Sequence, residues 1–502
     1  MQNEDEKFKN DQRPPIVVVM GHIDHGKTTI LDYYRKTKIV ERESGGITQH
    51  IGAYVVEHEG KTLTFIDTPG HEAFSKMRLR GAHIADIAVL VIAADEGVKP
   101  QTKEALEIIR ESNLSFVVAL NKIDKPEANS QRVSQELAEA EVLLESYGGK
   151  VPSVEISAKT GQGTDELLEI LLLLSELEHL EGEPGERARG AVIEVLRDSR
   201  RGITATLLVR QGTFRKQSPV LIGQSVEVIK ILEDFRGMPI EEAGPSSPVV
   251  VAGLSRLPAV GEPFEQFPSR AEAERFAASQ LKPEPEARAT EPSGEGEKPI
   301  FNIIIKADVA GSEEAVRDLL QKIESDTIGI NILASGVGDI NESDAKRALA
   351  TKLVTIVGFR VKIDPSAREL AEQQNIRIVL GTVIYELLEQ VKTAVEQMIP
   401  PEIRRTDLGR IKILRLFRRE GTKQIVGGRV EEGVARKDTR CDIKRMKEVV
   451  GTGAILQVQR EKTVVDEAPK GSECGVSVDS KTPIQEGDVI EVYQEEVVRK
   501  KL

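Results

Sequence analysis

The sequence has few cysteines, no long apolar run and no targeting segment, and each absence excludes a class of protein. Only Cys441 and Cys474 occur among the 502 residues, too few for a disulfide framework or a zinc site. No apolar run approaches the ~18 residues that a membrane-spanning helix needs. Residues 1–13 contain neither the apolar core of a signal peptide nor the arginine-rich, acid-poor composition of a transit peptide. We therefore expect a cytoplasmic protein without a membrane partner, disordered over residues 1–13.

The charge is acidic overall and unevenly distributed along the chain. The formal net charge of −13 argues against a protein that coats nucleic acid non-specifically. Between Arg404 and Lys447, however, fifteen Lys and Arg residues stand against six Asp and Glu residues. This basic segment indicates either a local contact with RNA or a solvated charged surface.

A glycine-rich stretch, GHIDHGKTT, follows the apolar run IVVVM and precedes the helical pattern ILDYYRK. Its spacing matches the phosphate-binding loop, GxxxxGK followed by Ser or Thr, with a strand before it and a helix after it. The glycines let backbone N–H groups surround an anion, Lys27 can reach the outer phosphates and the Thr28 hydroxyl can ligate magnesium. The alternative is a glycine-containing turn that closes an ordinary strand. The residues predicted to bind the nucleotide here are Gly21, His22, Ile23, Asp24, His25, Gly26, Lys27, Thr28 and Thr29.

The stretch DTPGH, residues 67–71, ends a second apolar run. Asp67 is placed to hold magnesium, and the Gly70 amide can meet a terminal phosphate and report its loss. His71 is the candidate to orient the attacking water. The alternative for this stretch is a plain β-turn.

The segment ESGGITQHIGA, residues 43–53, offers Thr48 in a glycine-flanked loop. Its hydroxyl can order the loop by meeting magnesium and the terminal phosphate. The alternative is that the glycines only make a turn and Thr48 is exposed to solvent. His22, His25 and His50 lack an equally specific position and are interpreted as structural or phosphate-adjacent.

Two later stretches predict the choice of base. In NKID, the Asn121 side chain can pair with the purine N7, while the Asp124 carboxylate can accept the N1–H and N2–H₂ donors that guanine has and adenine lacks. Lys122 can lie along the base. In SAKTGQG, residues 157–163, backbone amides around Ser157, Ala158 and Lys159 can meet the guanine oxygen. Four of these stretches, in the order GHIDHGKTT, DTPGH, NKID and SAKTGQG, predict a GTPase that selects GTP over ATP.

These motifs occur where buried strands alternate with helical segments, which predicts a mainly parallel sheet covered on both faces. Ligands bind at the carboxyl ends of such strands. At about 150 residues per domain, the chain should contain about three or four domains.

In these motifs the sequence resembles the translational GTPases, and within them the bacterial translation initiation factor 2 family. GHIDHGKTT, SGGITQHIGAY, DTPGHEAF, NKID and SAKTG carry the resemblance, which extends to KADVAGSEEAV, SGVGDINESDA and the ECG of residues 473–475. The resemblance implies GTP/GDP and Mg²⁺ as cofactors, with Mg²⁺ held by Thr28, Thr48 and Asp67.

The resemblance also implies an activity and a set of partners. A member of this family would bind formylmethionyl initiator tRNA on the small ribosomal subunit, promote joining of the large subunit and hydrolyse GTP for its release. It would act as a monomer alongside other initiation factors. The alternatives are an elongation-type factor, an archaeal or eukaryotic-type initiation factor, and a GTP-organised RNA-binding scaffold without hydrolysis.

The predicted fold class is a multidomain α/β plus β protein. The disordered start at 1–13 is followed by a GTP-binding P-loop domain at 14–182, a β-barrel at 187–263, a Pro/Glu-rich linker at 264–298, an α/β/α layer domain at 299–383, a connecting helix at 384–399 and a C-terminal β-barrel at 404–502. The linker departs from the more helical connector that the family would have. The connecting helix is either an exposed lever between domains or a helix packed on its own domain.

By resemblance, the C-terminal barrel grips the formylmethionine and the acceptor end of the tRNA. The positions that match the family's site are Gly428, Arg460, Lys462, Glu473, Cys474 and Gly475. Gly428 stands where the family usually has a cysteine, and Gln459 and Glu461 stand where it has a lysine and an aromatic residue. Because one cation is lost and one anion gained, we expect initiator tRNA binding to persist in a weaker or altered form.

Overall fold

The computed structural model describes residues 12–35, 48–182, 185–198, 200–280, 300–323, 329–351, 354–398, 402–446, 448–461 and 463–498. The chain divides into two compact units, Met1–Lys392 and Thr393–Leu502. Within the described ranges, no helix is both long and apolar enough to span a bilayer.

The first domain is an α/β layer domain around a six-stranded sheet. The strand order is β2-β3-β1-β4-β5-β6, and every neighbouring pair is parallel except β2 with β3. The strands are β1 Ile16–Gly21, β2 Gly52–His58, β3 Lys61–Asp67, β4 Ile87–Ala93, β5 Ser115–Asn121 and β6 Ser153–Glu155. The helices are α1 Lys27–Arg35, α2 Ser75–Ile84, α3 Pro100–Glu111, α4 Ser130–Glu139 and α5 Thr164–Leu177. The predicted motifs follow the carboxyl ends of β1, β3 and β5, which places them along one edge of the sheet.

The start of the described chain is fixed to this domain, which corrects the expectation of disorder up to residue 13. The Arg13 guanidinium pairs with both Asp86 carboxylate oxygens at 2.7 and 2.6 Å. The Arg13 amide also donates to the Leu180 carbonyl at 3.0 Å. The rest of that predicted segment, residues 1–11, lies outside the described residues.

The second domain is an antiparallel seven-stranded sheet with the order β11-β10-β15-β7-β8-β14-β12, accompanied by the short pair β13-β9. Its strands are β7 Arg189–Asp198, β8 Gly202–Gln211, β9 Phe214–Arg215, β10 Pro219–Ile222, β11 Ser225–Val228, β12 Ile231–Asp234, β13 Glu242–Ala243, β14 Pro248–Leu254 and β15 Pro263–Gln266. Side chains from the sheet and from the short pair, including Val192 of β7, Phe214 of β9 and Phe264 of β15, form one buried core. The sequence predicted a β-barrel at 187–263, and the structure shows a β-rich domain there in which, among the described residues, no pairing joins the edge strands β11 and β12.

The linker prediction for 264–298 is wrong over its described part. Residues 264–266 belong to β15, and α6 follows at Arg270–Gln280. Phe267 and Ala273 are buried with Leu221 of β10, so this helix packs on the second domain. The sequence misled because the Pro- and Glu-rich composition begins only after this helix. Residues 281–298 of the predicted linker lie outside the described residues.

The third domain has a four-stranded parallel sheet with the order β17-β16-β18-β19. Its strands are β16 Ile300–Ala307, β17 Gly329–Val337, β18 Val354–Phe359 and β19 Arg377–Gly381, and its helices are α7 Ala310–Lys322, α8 Glu342–Leu349 and α9 Pro365–Gln373. The layer domain predicted from the alternation of strands and helices is confirmed as an α/β fold.

The next helix, α10, spans Ile384–Met398. Its first half packs on the third domain, because Ile384, Leu387 and Val391 are buried and line one seam with Leu320 of α7 and Val357 of β18. Up to Lys392, therefore, this helix is part of the first compact unit and is not an exposed lever.

The C-terminal domain is a closed antiparallel barrel. The order β20-β27-β22-β23-β26-β21 is closed into a ring by pairing of β20 with β21, while β24 and β25 pair with β23 and β21. The strands are β20 Glu402–Glu420, β21 Lys423–Arg436, β22 Thr439–Arg445, β23 Glu448–Arg460, β24 Thr463–Val465, β25 Glu467–Pro469, β26 Glu473–Asp479 and β27 Val489–Val498. The predicted C-terminal barrel is confirmed.

Candidate functional site

The loop between β1 and α1 has a backbone that only glycine fits at two positions. Gly21 and Gly26 have φ of +140° and +91°, which side-chain-bearing residues rarely adopt. A Cβ at Gly21 would lie 2.3 Å from the Val91 carbonyl oxygen, and one at Gly26 would lie 2.2 Å from Asn121 Nδ2. The two glycines of the motif are therefore required both by backbone conformation and by the close approach of β4 and β5.

The Lys27 ammonium lies inside this loop. It donates to the carbonyl oxygens of Gly21 at 2.9 Å and His22 at 2.6 Å. Burial lowers its pKa to about 8, while Asp67 acts in the opposite direction. A Cβ at Gly70 would lie 2.4 Å from Lys27 Nζ and 3.1 Å from the Ile23 amide nitrogen. The loop that follows β3 thus lies directly against the phosphate loop.

The predicted magnesium ligands come from three separate segments. The hydroxyl oxygens of Thr28 and Thr48 are 2.5 Å apart, so the segment before β2 reaches the start of α1. Asp67 is buried at the end of β3, and its charge acts on the Lys27 ammonium. Across the described ranges, no group of three or more His, Cys, Asp or Glu side chains could hold a metal ion. A metal here would depend on the two hydroxyls together with one carboxylate. Gly45 and Gly46, which flank Thr48 in the predicted switch loop, lie outside the described residues.

The Asn121 side chain joins three of the predicted motifs. Its Nδ2 donates to the His25 carbonyl at 2.8 Å, and its Oδ1 accepts from the Ala158 amide at 3.0 Å. One N–H of the Asn121 amide is used by the phosphate loop, which leaves the second for a base. The sequence predicted the base contact but gave no signal of this bridging role.

Asp124 and Lys122 lie beside this bridge. Ser157 Oγ donates to Asp124 Oδ1 at 2.7 Å, and this hydrogen bond lowers the pKa of the carboxyl group. The Asp124 carboxylate is therefore ionised near neutral pH and keeps its second oxygen for further donors. Lys122 has φ of +65° and places its ammonium 3.1 Å from Glu96 Oε1. Ser157 and Ala158 thus orient the NKID motif, while Lys159 follows them in the same loop.

His71 lies in a buried position after Gly70. Its Nδ1 accepts from the Ala73 amide at 3.1 Å and so caps the short 3₁₀ turn 72–74. Burial lowers the pKa of His71 to about 4, with a further contribution from the Arg78 guanidinium. The imidazole is therefore neutral near pH 7. A residue that accepts a proton from water must be neutral beforehand.

Arg78 is a residue that the sequence did not single out. Its guanidinium is buried, donates to the Pro69 carbonyl at 2.9 Å and to the His71 carbonyl, and pairs with Glu104 at 2.6 Å. It therefore fixes the backbone of the DTPGH loop. The only signal in the sequence is a cation on a helix directly after the motif.

Of the three other histidines considered from the sequence, two lie in the phosphate loop and one contacts the third domain. The His25 ring is completely buried, and burial lowers its pKa to about 3; the pKa of His22 is lowered for the same reason. His50 Nε2 lies 2.9 Å from Asp308 Oδ2 at the end of β16. The His25 ring is therefore enclosed by protein and neutral near pH 7, and His50 makes a contact that the sequence did not predict.

In the C-terminal barrel, the positions that match the tRNA site fall on adjacent strands. Gly428 pairs with Cys474, and Gly427 pairs with Gly475. Cys474 is buried in the barrel core, and burial raises the pKa of its thiol to about 11. A Cβ at Gly428 would lie 2.7 Å from both Ile411 Cγ2 and the Lys412 carbonyl oxygen. Gly428 and Cys474 therefore face inward, and any ligand on the outer surface meets their neighbours.

The outer surface at this level is a row across three strands that the sequence did not predict. Gly427 of β21 pairs with Gly475 of β26, which pairs with Gln459 of β23. The Phe417 ring is 62% exposed, and its Cε2 would lie 2.6 Å from a Cβ at Gly427. We call this row with Phe417 the glycine shelf. An aromatic ring among arginines, as in RLFRR, is a signal for nucleic-acid stacking that sequence reasoning passed over.

The remaining positions of the predicted tRNA site border the glycine shelf. Arg460 and Glu473 are exposed at the ends of β23 and β26. Lys462 lies outside the described residues.

Three family models match successive parts of the chain. Residues 12–176 match "Elongation factor Tu GTP binding domain", residues 187–267 match "Elongation factor G domain 2" and residues 277–392 match "Translation-initiation factor 2". These matches follow the order of the three domains of the first compact unit.

Curated relatives named "Translation initiation factor IF-2" match almost the whole chain. The relative from Halalkalibacterium halodurans is 42% identical over 99% of this chain and 70% of its own length. That from Rubrobacter xylanophilus is 42% identical over 96% of this chain and 71% of its own. The relative from Bacillus subtilis is 41% identical over 96% and 69%.

Among solved structures, GDP-bound aIF5B from Aeropyrum pernix is 28% identical, with 96% of this chain and 92% of that chain covered at a TM-score of 0.48. The assignment rests on the curated relatives and the family models. By its identity to these relatives over nearly all of its length, and by its GTP-binding domain, the chain belongs to the translation initiation factor 2 family of translational GTPases.

Proposed function

We propose that this protein is the cytoplasmic initiation factor that binds formylmethionyl initiator tRNA on the small ribosomal subunit and promotes joining of the large subunit. It then hydrolyses GTP to GDP and phosphate for its own release, working as a monomer with other initiation factors. The observation that carries this proposal is the convergence of the motif loops. Asn121 hydrogen-bonds both the phosphate loop and the Ser157 loop, and Gly70 lies against the phosphate loop.

The base-specific part of the proposal assigns Asn121 and Asp124 to guanine. The second N–H of Asn121 meets the purine N7, and the carboxylate of Asp124 accepts two donors from the guanine edge. Because Ser157 stabilises the ionised carboxylate, this acceptor is charged at neutral pH.

The phosphate-binding part of the proposal assigns magnesium to Thr28, Thr48 and Asp67. The Thr28 and Thr48 hydroxyls hydrogen-bond each other at 2.5 Å, which brings two oxygen ligands to one place. Mg²⁺ takes oxygen ligands, and its binding would replace this hydrogen bond. When bound, Mg²⁺ would neutralise charge that develops on the phosphates. Lys27 and the backbone amides of residues 21–29 bind the phosphate oxygens, and Thr48 orders its segment when the terminal phosphate is present.

In the hydrolytic part of the proposal, His71 orients the attacking water. We expect His71→Ala to slow ribosome-stimulated hydrolysis by at least about a hundredfold while guanine-nucleotide affinity stays near that of the native protein. The matched control is His83→Ala, on an exposed position of α2. Equal turnover in His71→Ala and the native protein would instead support a GTP-organised RNA-binding scaffold.

The tRNA-binding part of the proposal assigns the acceptor end of the tRNA to the glycine shelf. Two facing glycines leave room for a ligand to approach the backbone, Phe417 offers a stacking surface, and Arg460 offers a cation for phosphate.

The test is binding of formylmethionyl-tRNA to Phe417→Ala and Arg460→Ala. We expect each to weaken binding by about tenfold. Arg440→Ala serves as a control, because this exposed arginine lies on β22, opposite β21 in the ring of strands. Normal binding by both variants would place the tRNA elsewhere on the barrel.

A further inference from the structure

The third domain holds the segment that carries Thr48. Gln49, which is completely buried, donates from Nε2 to the Thr382 carbonyl at 3.2 Å. His50 Nε2 lies 2.9 Å from Asp308 Oδ2, and the same oxygen accepts from Arg360 Nε at 3.1 Å. The residues directly after Thr48 thus contact the third-domain sheet at the carboxyl ends of two strands, β16 and β19.

The same domain also reaches His71, through Tyr385. This residue lies in the first turn of α10, between the buried anchors Ile384 and Leu387. The Tyr385 hydroxyl oxygen is 2.7 Å from His71 Nδ1, and the two ring centroids are 3.7 Å apart at an interplanar angle of 48°. One aromatic residue therefore covers the His71 ring and hydrogen-bonds it.

The hydrogen bonds at Nδ1 determine the tautomer of His71. The Ala73 amide can only donate, and it points at Nδ1 from 3.1 Å. Nδ1 therefore carries no proton, the Tyr385 hydroxyl donates to it, and the proton of the neutral ring is on Nε2. In this arrangement Nδ1 is occupied by two donors and Nε2 is already protonated. Neither nitrogen is available to accept a proton or a hydrogen bond from an attacking water.

We propose that Tyr385 is a positioning residue that holds His71 in a resting arrangement, and that its release by movement of the third domain permits GTP hydrolysis. The contacts of Gln49 and His50 with the same domain couple this release to the segment that carries Thr48. The inference rests on the proposed role of His71 in orienting water.

Tyr385→Phe removes the hydroxyl and keeps the ring that packs on His71. We expect single-turnover GTP hydrolysis without ribosomes to rise by about fivefold, the factor expected from loss of one neutral hydrogen bond. Ribosome-stimulated hydrolysis and GTP affinity should stay unchanged, because Tyr385 is already released in the stimulated state. Tyr147→Phe, an exposed tyrosine of the first domain, should leave both rates unchanged.

The route through His71 is tested by the double variant His71→Ala, Tyr385→Phe. It should show no rise in ribosome-free hydrolysis over His71→Ala alone. A ribosome-free rate that is unchanged or lower in Tyr385→Phe, with native GTP affinity and melting temperature, would overturn the inference. A failure of the proposed function gives a different result: ribosome-stimulated hydrolysis would then stay normal in His71→Ala.

A second readout concerns the protonation of the His71 ring, and its first part uses the native protein alone. Nitrogen NMR of the resting native protein should show His71 unprotonated at Nδ1 and protonated at Nε2. In Tyr385→Phe the pKa of His71 should rise, because a donor that favours the neutral ring has been removed. A resting His71 that is protonated at Nδ1 would contradict the inference.

Discussion

Glu194 of β7 is a buried acid at the junction between the second and third domains. Its Oε1 accepts from the Val195 amide at 2.9 Å and from the Gly311 amide of α7 at 3.3 Å. Its Oε2 is buried without a hydrogen-bond partner. Burial raises the pKa of Glu194 from 4.5 to about 7, with Asp308 adding to the rise and His50 opposing it.

The sign of the pH effect follows from this raised pKa. The native protein binds the Glu194 proton more tightly than the unfolded chain does, so the stabilisation is complete below about pH 4.5 and is lost as the pH rises to about 7. The difference in pKa corresponds to about 3 kcal/mol in the free energy of unfolding. Glu194→Gln resembles the protonated acid in shape and charge and should remove this dependence.

The assay is urea unfolding of the native protein and of Glu194→Gln at about pH 5 and about pH 8. The unfolding midpoint of the native protein should fall with rising pH by more than that of Glu194→Gln, and the variant should be the more stable at the higher pH. Glu241→Gln, at an exposed position of the second domain, should follow the native protein. Parallel pH dependences in the native protein and Glu194→Gln would refute the reasoning.

Three further predictions concern the nucleotide site and the thiols. Asp124→Asn should lose GTP and gain xanthosine triphosphate in competition titrations, because its amide can donate to the C2 carbonyl of xanthine; unchanged GTP preference would remove Asp124 from base selection. Gly26→Ala should weaken nucleotide binding in calorimetry by about tenfold or more, since its Cβ would meet Asn121; native affinity would contradict the loop geometry. Burial raises the pKa of Cys441 to about 12 and that of Cys474 to about 11. Both thiols should therefore resist iodoacetamide until unfolding, and rapid labelling of the folded protein, seen by mass spectrometry, would contradict their burial.

The nucleotide-site motifs were predictable because short, fixed spacings define them. A phosphate loop needs Gly21 and Gly26 at positive φ, so its sequence and its conformation are tied together. The strands beneath it are fully buried runs, which the sequence displays as continuous apolar stretches. Where chemistry, spacing and flanking strands all agree, the fold could be assigned without coordinates.

Contacts between distant segments were not predictable, because nothing in local spacing encodes them. Arg78 and Tyr385 belong to no motif, yet Arg78 hydrogen-bonds the His71 carbonyl and Tyr385 covers the His71 ring. The bridging role of Asn121 depends on how closely β5 approaches the phosphate loop. In each case the role of the residue depends on a contact with a residue that is distant in the sequence.

In some places, composition and motif matching led to a wrong or incomplete prediction. The Pro- and Glu-rich composition after residue 281 led the predicted linker to extend back over α6. In the structure, Ala273 of this helix is buried together with Phe267, which precedes it. The motif match predicted Cys474 as a ligand-binding residue. Because side chains alternate along β26, Cys474 points into the core and Gly475 lies on the outer surface, in the glycine shelf. The exposed Phe417 was passed over because a single aromatic residue in a basic strand has no fixed spacing.

The central claim is that this GTPase recognises initiator tRNA, and a binding competition tests it most directly. The GTP-loaded protein would be titrated with formylmethionyl initiator tRNA, with unformylated methionyl-tRNA and uncharged tRNA as competitors. We predict a clear preference for the formylated species, which would show that binding tolerates Gly428, Gln459 and Glu461 in the C-terminal barrel. Equal binding of all three species would contradict the claim, and would leave a GTPase whose C-terminal barrel binds a different ligand.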